Sequence, residues 1–396
     1  MAVENSQQID RRICVKNISI FDSCYGCGVC AAACSTNAIS MKKNQDGFVM
    51  PVVDDKKCTG CQMCLKVCAF NDKALYDVPL FVHGYAAYSN NDDIRRSCSS
   101  GGIGYELARY ALLEGYKICA VRYEVEQRRA VHYMISSDEE LSQSRGSKYL
   151  QSHTEDAFSN FMRIEKYMVV GTPCQIDSLR RYVRLKKMEQ NYILVDFFCH
   201  GVPSDLMWQK YINEYGLKNP SEIKWRDKRM GWHDSYNMVF RDAHCETYSL
   251  MSHGDLFYQF FLKNRCLGKA CYDDCRYKMT SSAADVRIGD LWGTKYQADE
   301  KGVSGVITFT LKGEEVLRQL ESCTIIPESI EVVTESQMKH CAQRPSSYNY
   351  VTEALKTDVS LYEINKKASR IEFFKDELPH RIKYYSKRIV EKLRCK

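Results

Sequence analysis

The chain has 396 residues, of which 20 are cysteine, and its 56 basic and 50 acidic side chains give a formal net charge of +6. This length predicts two or three domains, and 44% apolar with 27% charged residues exclude a disordered or collagen-like chain. No stretch approaches the roughly 18 apolar residues of a membrane-spanning helix, and the polar N-terminus lacks the apolar centre of a secretory signal. We therefore expect a cytoplasmic protein.

The cysteines and the net charge are both unevenly distributed. Eight of the 20 cysteines lie between Cys24 and Cys68, and a reducing cytosol disfavours disulfides, so this clustering indicates metal ligands. The charge lies in residues 361–396, where eleven basic side chains face five acidic ones. The neutral remainder lacks the basic surface of a nucleic-acid-binding domain, and we expect no nucleic acid partner.

Two cysteine runs of identical spacing stand near the N-terminus. Cys24, Cys27, Cys30 and Cys34 read C-x2-C-x2-C-x3-C, and the same spacing recurs at Cys58, Cys61, Cys64 and Cys68. It resembles the ligand run of bacterial two-cluster ferredoxins, in which the fourth cysteine of each run ligates the other 4Fe–4S cluster. The resemblance implies one cluster on Cys24, Cys27, Cys30 and Cys68, and a second on Cys58, Cys61, Cys64 and Cys34.

The segment between the two runs supports a paired arrangement. Residues 38–41 and 49–53 read as short strands around a turn at 44–47, and such a hairpin brings the two cysteine loops back to back. Structural zinc, which also uses C-x2-C pairs, is the alternative interpretation.

From about residue 80 the sequence alternates between strands and helices. Apolar runs predict strands at 81–89, 117–123, 167–170 and 192–198. Apolar residues at helical spacing predict helices at 104–114, 174–187 and 204–215. This alternation favours an α/β arrangement.

Two polar loops in this region contain candidate binding residues. Residues 97–104 read S-C-S-S-G-G-I-G and open a helix, where exposed backbone N–H groups favour a phosphate or pyrophosphate. A plain glycine-rich turn is the alternative. Residues 146–152 place Lys148 in a second polar loop, where a lysine is more often only solvated.

Cysteines follow two of the apolar strands. Residues 171–174 read G-T-P-C and residues 199–203 read C-H-G-V-P, and ligands gather beyond the carboxyl ends of strands in an open α/β sheet. Cys174 and Cys199 can therefore face one site, although buried inert thiols are the alternative. Cys271 and Cys275 lie further on, in C-Y-D-D-C, before a predicted strand at 285–288 and a loop at 289–293.

Six motifs in a fixed order carry a family resemblance: S-S-G-G, S-K-Y-L-Q-S, G-T-P-C-Q, C-H-G-V-P, W-R-D-K and I-G-D-L-W-G. With the cysteine runs, they resemble the beta subunit of coenzyme F420-reducing hydrogenase and its relatives, including F420-linked formate dehydrogenase beta subunits and a plant chlorophyll reductase. The resemblance implies an α+β or α/β chain with an N-terminal two-cluster ferredoxin-like module, an α/β flavin-binding body and a C-terminal helical tail. The implied domains are 1–78 for the module, 79–165 and 166–330 for the two parts of the body, and 331–396 for the basic tail.

The resemblance also implies cofactors and the residues that hold them. FAD is expected, and residues near it are Ser99, Ser100, Gly101 and Gly102 at its phosphates, with Ser147, Lys148 and Thr172 close to the flavin. A third 4Fe–4S cluster is hypothesised on Cys174, Cys199, Cys271 and Cys275, with Cys266 as a reserve ligand. Buried thiols or a catalytic cysteine are the alternatives.

The implied function is electron transfer between one-electron clusters and a two-electron acceptor through the flavin. The first hypothesis is an FAD- and 4Fe–4S-dependent oxidoreductase that uses an acceptor such as coenzyme F420. The second is an electron-transfer subunit of a hydrogenase or dehydrogenase complex, and the third is a ferredoxin-fed reductase of a biosynthetic intermediate, such as one in polysaccharide pathways, without F420. The expected partners are a redox protein and a small-molecule acceptor.

Two further features leave their roles open. His200, beside Cys199, is the candidate proton donor, and capping of the following helix is the alternative. Residues 379–394 read as a basic amphipathic helix with Pro379 at its start, which we expect to dock on the body, on an anionic partner or on a membrane surface.

Overall fold

The computed structural model describes residues 17–72, 74, 82–216, 220–242, 245–379 and 381. The described strands are β1 (Ile39–Lys43), β2 (Val49–Val53), β3 (His83–Ser89), β4 (Lys117–Glu124), β5 (Arg129–Ile135), β6 (Ser152–His153), β7 (Tyr167–Val170), β8 (Tyr192–Phe197), β9 (Glu222–Arg226), β10 (Tyr236–Arg241), β11 (Glu246–Leu250), β12 (Val286–Asp290), β13 (Ser304–Thr308) and β14 (Cys323–Glu328). The described α-helices are α1 (Val29–Ala32), α2 (Met63–Lys66), α3 (Asp92–Ser97), α4 (Ile103–Leu113), α5 (Asp138–Ser142), α6 (Glu155–Ser159), α7 (Pro173–Leu185), α8 (Asp205–Glu214), α9 (Leu256–Phe261), α10 (Lys269–Asp273), α11 (Leu311–Arg318), α12 (Ile330–Thr334), α13 (Tyr348–Ala354) and α14 (Leu361–Glu372).

The N-terminal module has the predicted ferredoxin-like arrangement. Strands β1 and β2 pair antiparallel, with Ile39 opposite Val53, so the predicted hairpin is confirmed. Each cysteine run ends in a one-turn helix, α1 or α2, and Cys30 and Cys64 lie buried in these helices. The cysteines of both runs thus contribute to one small apolar core.

A nine-stranded mixed sheet forms the body, with the order β14-β3-β13-β12-β8-β7-β4-β5-β6. Its centre is parallel, because β12, β8, β7 and β4 pair in parallel, which confirms the predicted α/β alternation in that part. The flanking pairs of β13, β3 and β14 on one side, and of β4 with β5 on the other, are antiparallel. Central strands are buried on both faces, which explains their continuous apolar runs.

Alternating residues of the central strands pack against different helices. Ile193 and Val195 of β8 share a core with α4 and α11, whereas Tyr192 and Leu194 share a core with α7. Successive side chains of a strand point to opposite faces of its sheet, so this division follows from the strand geometry. The second core also includes Val29 of the N-terminal module, so the module packs on the α7 face.

A second sheet, in the order β11-β10-β9, lies beside this body. Its core joins Trp208 of α8 and Phe257 of α9 to apolar residues of α13 and α14, such as Val351 and Ile364. The first helices of the segment 331–396 therefore pack on the body. None of the helices within the described ranges has the length and apolarity that crossing a membrane requires.

Two details differ from the sequence predictions. Gly289 and Asp290 belong to β12 instead of a loop, because they pair with Gly305 and Ser304 of β13. Pro379 does not start a helix: the helical path continues from α14 through a π-turn, Phe373–Glu377, to Pro379. Apart from Arg381, the rest of the predicted 379–394 helix lies outside the described residues, as does residue 81 of the predicted strand 81–89.

Candidate functional site

The N-terminal module is fixed to the body by hydrogen bonds from several of its loops. The Thr154 hydroxyl donates to the Cys27 carbonyl oxygen at 3.1 Å, and the Ala69 N–H donates to the Ser178 hydroxyl oxygen at 3.2 Å. The Arg181 guanidinium pairs with the Asp72 carboxylate at 2.7 Å. These contacts involve both cysteine runs, so the module has a defined position relative to the sheet.

The first predicted set of cysteines surrounds a small cavity inside the module, which we name the module cavity. Its lining includes Cys24, Cys27, Cys30 and Cys68. Burial raises the pKa of the Cys24 thiol to about 12 and that of Cys68 to about 11, and neighbouring thiols add to both shifts. The Gly26 N–H donates to the Cys24 sulfur at 3.2 Å, the kind of bond that stabilises a cluster-bound thiolate.

The second predicted set lies nearer the surface. Cys64 is buried and Cys61 is exposed, and burial raises the pKa of Cys64, with a smaller contribution from the charge of Cys58. Although partial burial acts to raise it, hydrogen bonds from Thr36 and from backbone N–H groups lower the pKa of Cys34. The Cys34 sulfur therefore lies in surroundings that favour a thiolate ligand.

A larger cavity of about 470 Å³, the cysteine cavity, lies between the module and the sheet. The cysteines in its lining are Cys24, Cys174, Cys199, Cys271 and Cys275. Burial raises the pKa of the Cys199 thiol to about 11 and that of Cys271 to about 12, and the charges of neighbouring cysteines add to both shifts. Four thiols from three separate motifs thus meet at one cavity, together with one cysteine of the module.

Two other cysteines do not line this cavity. Cys266, the predicted reserve ligand, belongs instead to the apolar core around Trp208, because its backbone carbonyl accepts the Ser204 N–H and holds that segment against α8. Cys341, which the sequence did not single out, donates its S–H to the Cys275 carbonyl oxygen at 2.6 Å.

The cysteines line cavities and do not converge on the position of a single metal ion. Within the described ranges no three His, Cys, Asp or Glu side chains come close enough together to hold a single metal ion. A 4Fe–4S cluster is a cube of atoms whose irons each bind a different cysteine, so its ligands surround a volume. Cysteines likewise line the volumes of the module and cysteine cavities.

A third cavity of about 460 Å³, the sheet cavity, opens at the carboxyl ends of β7, β8 and β12. The predicted flavin residues in its lining are Ser99, Ser100, Gly102, Ser147, Lys148 and Thr172. Gly101 lies behind this surface, where its N–H donates to the Ser304 hydroxyl at 3.0 Å. A side chain at Gly101 would overlap the Ser304 backbone nitrogen, at 2.7 Å from the added carbon, so glycine is required there for packing.

The two polar loops of the sheet cavity contact each other directly. The Ser99 and Ser147 hydroxyl oxygens lie 2.8 Å apart, and the Ser147 N–H also donates to the Ser99 oxygen at 2.8 Å. The Lys148 ammonium donates to the carbonyl oxygens of Ser144 and Arg145 at 2.8 and 2.7 Å. Burial lowers the pKa of Lys148 to about 7.

The cysteine and sheet cavities share part of their walls. Residues lining both include Thr172, Cys199, His200, Gly201, Tyr277 and Lys278. The Lys278 ammonium donates to the Cys199 carbonyl oxygen at 2.7 Å. His200 Nε2 lies 3.2 Å from the Phe261 carbonyl oxygen, and Ser204 caps α8, so helix capping by His200 is wrong. Burial lowers the pKa of His200.

Buried charged groups, which the sequence analysis missed, hold the shared wall in place. Asp177 accepts hydrogen bonds from Arg181 at 3.0 Å and from Tyr277 at 2.8 Å. Arg287 donates both a 2.7 Å and a 2.6 Å bond to the Asp196 carboxylate, and a 2.8 Å bond to the Met279 carbonyl oxygen. The bidentate Arg287–Asp196 pair is detectable only in three dimensions, because its members lie 91 residues apart in sequence.

The module's cysteine runs and fold are those of an iron–sulfur protein, and a family model described as a 4Fe-4S dicluster domain matches residues 23–71. Models of the N-terminal and C-terminal parts of the coenzyme F420 hydrogenase/dehydrogenase beta subunit match residues 84–159 and 164–331. The chain belongs to this family of beta subunits, which is a family of oxidoreductases. The resemblance drawn from the motifs is therefore confirmed.

Curated relatives match parts of the chain. It is 25% identical to one subunit of the F420H2 dehydrogenase of Methanosarcina mazei over 214 residues, 51% of this chain and 60% of that protein. It is 29% identical to the coenzyme F420-dependent sulfite reductase of Methanocaldococcus jannaschii over 161 residues, 40% of this chain and 25% of that protein. The chain thus spans less than two thirds of the length of either relative.

Among solved structures, the chain is similar to a subunit of the F420-reducing NiFe hydrogenase complex from Methanosarcina barkeri, determined as a xenon derivative. The TM-score is 0.46 at 15% sequence identity, over 73% of this chain and 91% of that chain.

Proposed function

We propose that the protein is an iron–sulfur flavoprotein that passes electrons between 4Fe–4S clusters and FAD, and on to a two-electron acceptor such as coenzyme F420. The observation that carries this proposal is the order of the three cavities. Cys24 lines both the module cavity and the cysteine cavity, and Cys199 lines both the cysteine cavity and the sheet cavity. A continuous route of cysteine-lined sites therefore leads from the module to the sheet.

A third 4Fe–4S cluster in the cysteine cavity is supported by its lining. Cys174, Cys199, Cys271 and Cys275 supply the four thiolates that such a cluster needs. Burial raises the pKa of the Cys174 thiol well above its ordinary value, so four free thiolates would be unstable there without a cationic group such as iron. The chain's part is to hold these ligands between the module and the sheet.

FAD in the sheet cavity is supported by the residues that the family motifs bring together. Hydroxyls of Ser99 and Ser147, the Lys148 ammonium and the start of α4 meet at this cavity, and each is suited to phosphate oxygens. Aromatic side chains of Tyr236 and Trp292 line it as well. When bound, FAD would supply the exchange between single electrons and a hydride pair.

The acceptor and the protein partner follow from the relatives. Both curated relatives are named for F420 chemistry, which supports coenzyme F420 as the small-molecule acceptor. The Methanosarcina mazei relative is one subunit of a dehydrogenase, so a hydrogenase or dehydrogenase subunit, or a ferredoxin, is the proposed redox partner. His200 remains our candidate proton donor, because it lines the wall between the cysteine and sheet cavities.

Anaerobic purification with iron, sulfide and flavin measured together tests the proposal. We expect about twelve irons and one FAD per chain, falling to about eight irons in Cys199→Ser. Cys266→Ser is the control, because Cys266 is a buried cysteine that lines neither cavity. An iron content of about eight that Cys199→Ser leaves unchanged would contradict the third cluster, and zinc without flavin would overturn the class.

A second measurement tests the acceptor. Protein reduced by dithionite or by reduced ferredoxin should transfer electron pairs to a deazaflavin, which loses its visible absorbance on reduction. Reduction of the bound flavin without transfer to the deazaflavin would assign another acceptor. Copurification of the native protein with a hydrogenase or dehydrogenase large subunit tests the partner.

A further inference from the structure

The charged residues of the sheet cavity are predominantly basic. Its described lining contains Arg145, Lys148 and Lys278 as cations and Asp290 as its carboxylate. Asp290 is already paired with the buried Arg226 guanidinium at 3.0 Å. The remaining positive charge of this cavity favours an anionic ligand.

Arg145 is the cation with unused hydrogen-bonding capacity. Its guanidinium lies 4.3 Å from the centroid of the Tyr105 ring, and its Nη1 donates a long 3.4 Å bond to the Ser97 hydroxyl. Its Nε is buried and has no hydrogen-bond partner within the part of the chain that the structure describes. A buried guanidinium donor without an acceptor is costly, and a bound anion would remove that cost.

Other groups on the same loops add positive charge. The Lys148 ammonium, whose N–H groups donate to carbonyl oxygens of residues 143–146, adds positive charge to the wall of the cavity. Helix α4 begins at Ile103 after the left-handed Gly102, without a side-chain cap, and both residues line the cavity. The N-terminal end of this eleven-residue helix adds partial positive charge.

Arg145 stands on a part of the wall that the cysteine cavity does not share. It lines the sheet cavity alone, whereas Cys199 and Lys278 line both cavities. A ligand with a flat ring and a phosphate end can therefore place its phosphate at Arg145 and its ring toward the shared wall.

We infer that Arg145, next to the positive charge of Lys148, binds the phosphate group of the ring cofactor in the sheet cavity and thereby orients the ring toward the cysteine cavity. This inference rests on the proposed function, because it requires a phosphate-bearing cofactor in that cavity. The planar guanidinium binds two phosphate oxygens at once, which fixes direction as well as affinity. The phosphate is the diphosphate of FAD or the phosphodiester of a deazaflavin.

Binding titrations of the full chain, with its clusters intact and its flavin removed, test this role. Arg145→Gln should weaken FAD binding roughly ten- to a hundredfold while leaving riboflavin, which has no phosphate, unchanged. The FAD affinity of Arg145→Lys should lie between those of Arg145→Gln and the wild-type protein. Arg96→Gln is the control, because Arg96 is exposed and does not line the cavity.

The outcomes separate the two phosphate sources and the two proposals. A loss of deazaflavin affinity in Arg145→Gln with FAD affinity unchanged would support phosphate binding by Arg145, with the deazaflavin as the ligand. Equal losses for FAD and riboflavin, or no loss for either phosphate ligand, would overturn the inference. Wild-type protein that binds neither FAD nor a deazaflavin would contradict the proposed function itself.

Discussion

The ring of Tyr25, in the iron–sulfur module, meets the ring of Tyr277, in the body, edge to face with their centroids 5.9 Å apart. Tyr25 lines the module and cysteine cavities, and Tyr277 lines the cysteine and sheet cavities. The Tyr25 hydroxyl also donates to the Asp274 carbonyl oxygen at 2.7 Å. Two neighbouring side chains thus border all three cavities, which keeps the successive redox sites of the proposed route close together.

Lys278 should raise the reduction potential of the proposed third cluster. Its ammonium bonds to the Cys199 carbonyl at 2.7 Å, and a nearby positive charge favours the more negative, reduced cluster. We expect Lys278→Gln to lower the midpoint potential by roughly 50–100 mV, measured by redox titration with electron paramagnetic resonance.

Two comparisons make the Lys278 measurement specific. Lys278→Arg keeps the charge and should retain the wild-type potential. The clusters of the N-terminal module should titrate unchanged in both variants. A third-cluster potential that is the same in Lys278→Gln and wild type would show that this charge does not tune the cluster.

Close packing at Gly28 should hold the module on the body. Gly28 has φ +75°, and an added side-chain carbon would overlap the Thr154 hydroxyl. Gly115 has a similar φ of +79° but open space around it, so both alanine variants carry the same backbone strain of about 1–2 kcal/mol. The free energy of unfolding should therefore fall by about 1–3 kcal/mol more in Gly28→Ala than in Gly115→Ala. Equal losses in the two variants would mean that the Thr154 contact is not constraining.

The loops that line the sheet cavity were easier to identify from the sequence than the order of the strands in the sheet. Thr172 follows β7 of the parallel centre, at the edge of the sheet where ligands gather, whereas Ser99 lies between α3 and α4 and Ser147 between α5 and β6. All three residues line the sheet cavity. The order of β14, β3 and β13 could not be predicted, because it depends on pairing between strands more than 200 residues apart, such as Ala87 with Ser304. Local periodicity contains no information about such distant partners.

Some functional candidates had no detectable sequence signal. Arg145 belongs to none of the family motifs, and its position in the sheet cavity depends on how residues 143–146 wrap around Lys148. Cys266 has the sequence position of a ligand but lies in the core. Whether a cysteine faces a cavity or a core is decided by tertiary packing, which spacing alone does not specify.

The buried Arg287–Asp196 pair should stabilise the segment that forms the shared wall. Both side chains are fully buried, and Arg287 also bonds to the Met279 carbonyl oxygen. Arg287→Met leaves the Asp196 carboxylate without its cation, so we expect a loss of about 3–5 kcal/mol in free energy of unfolding. The exposed Arg163→Met is the control and should change little. A loss below about 1 kcal/mol in Arg287→Met would contradict a structural role for the pair.

Binding of an anionic cofactor in the sheet cavity should depend on the protonation of Lys148. Burial lowers its pKa to about 7, so the free protein holds a cation there below pH 7 and a neutral amine above it. An anionic ligand favours the cation, and binding above pH 7 therefore takes up a proton. FAD affinity should fall between pH 7 and 9 by up to about tenfold per pH unit.

Two variants assign this pH dependence to Lys148. Lys148→Arg keeps its charge, so its FAD affinity should not change between pH 7 and 9. Lys148→Met should bind FAD more weakly, and its affinity should also be independent of pH. Burial raises the pKa of Cys98 and lowers that of His200, so neither cavity residue changes charge in this interval. Burial also lowers the pKa of Lys228 to about 7, but Lys228 does not line the cavity and is common to all three proteins.

Calorimetry in buffers of different ionisation enthalpy measures the proton uptake on FAD binding directly. Wild-type binding without proton uptake at pH 8 would contradict the prediction.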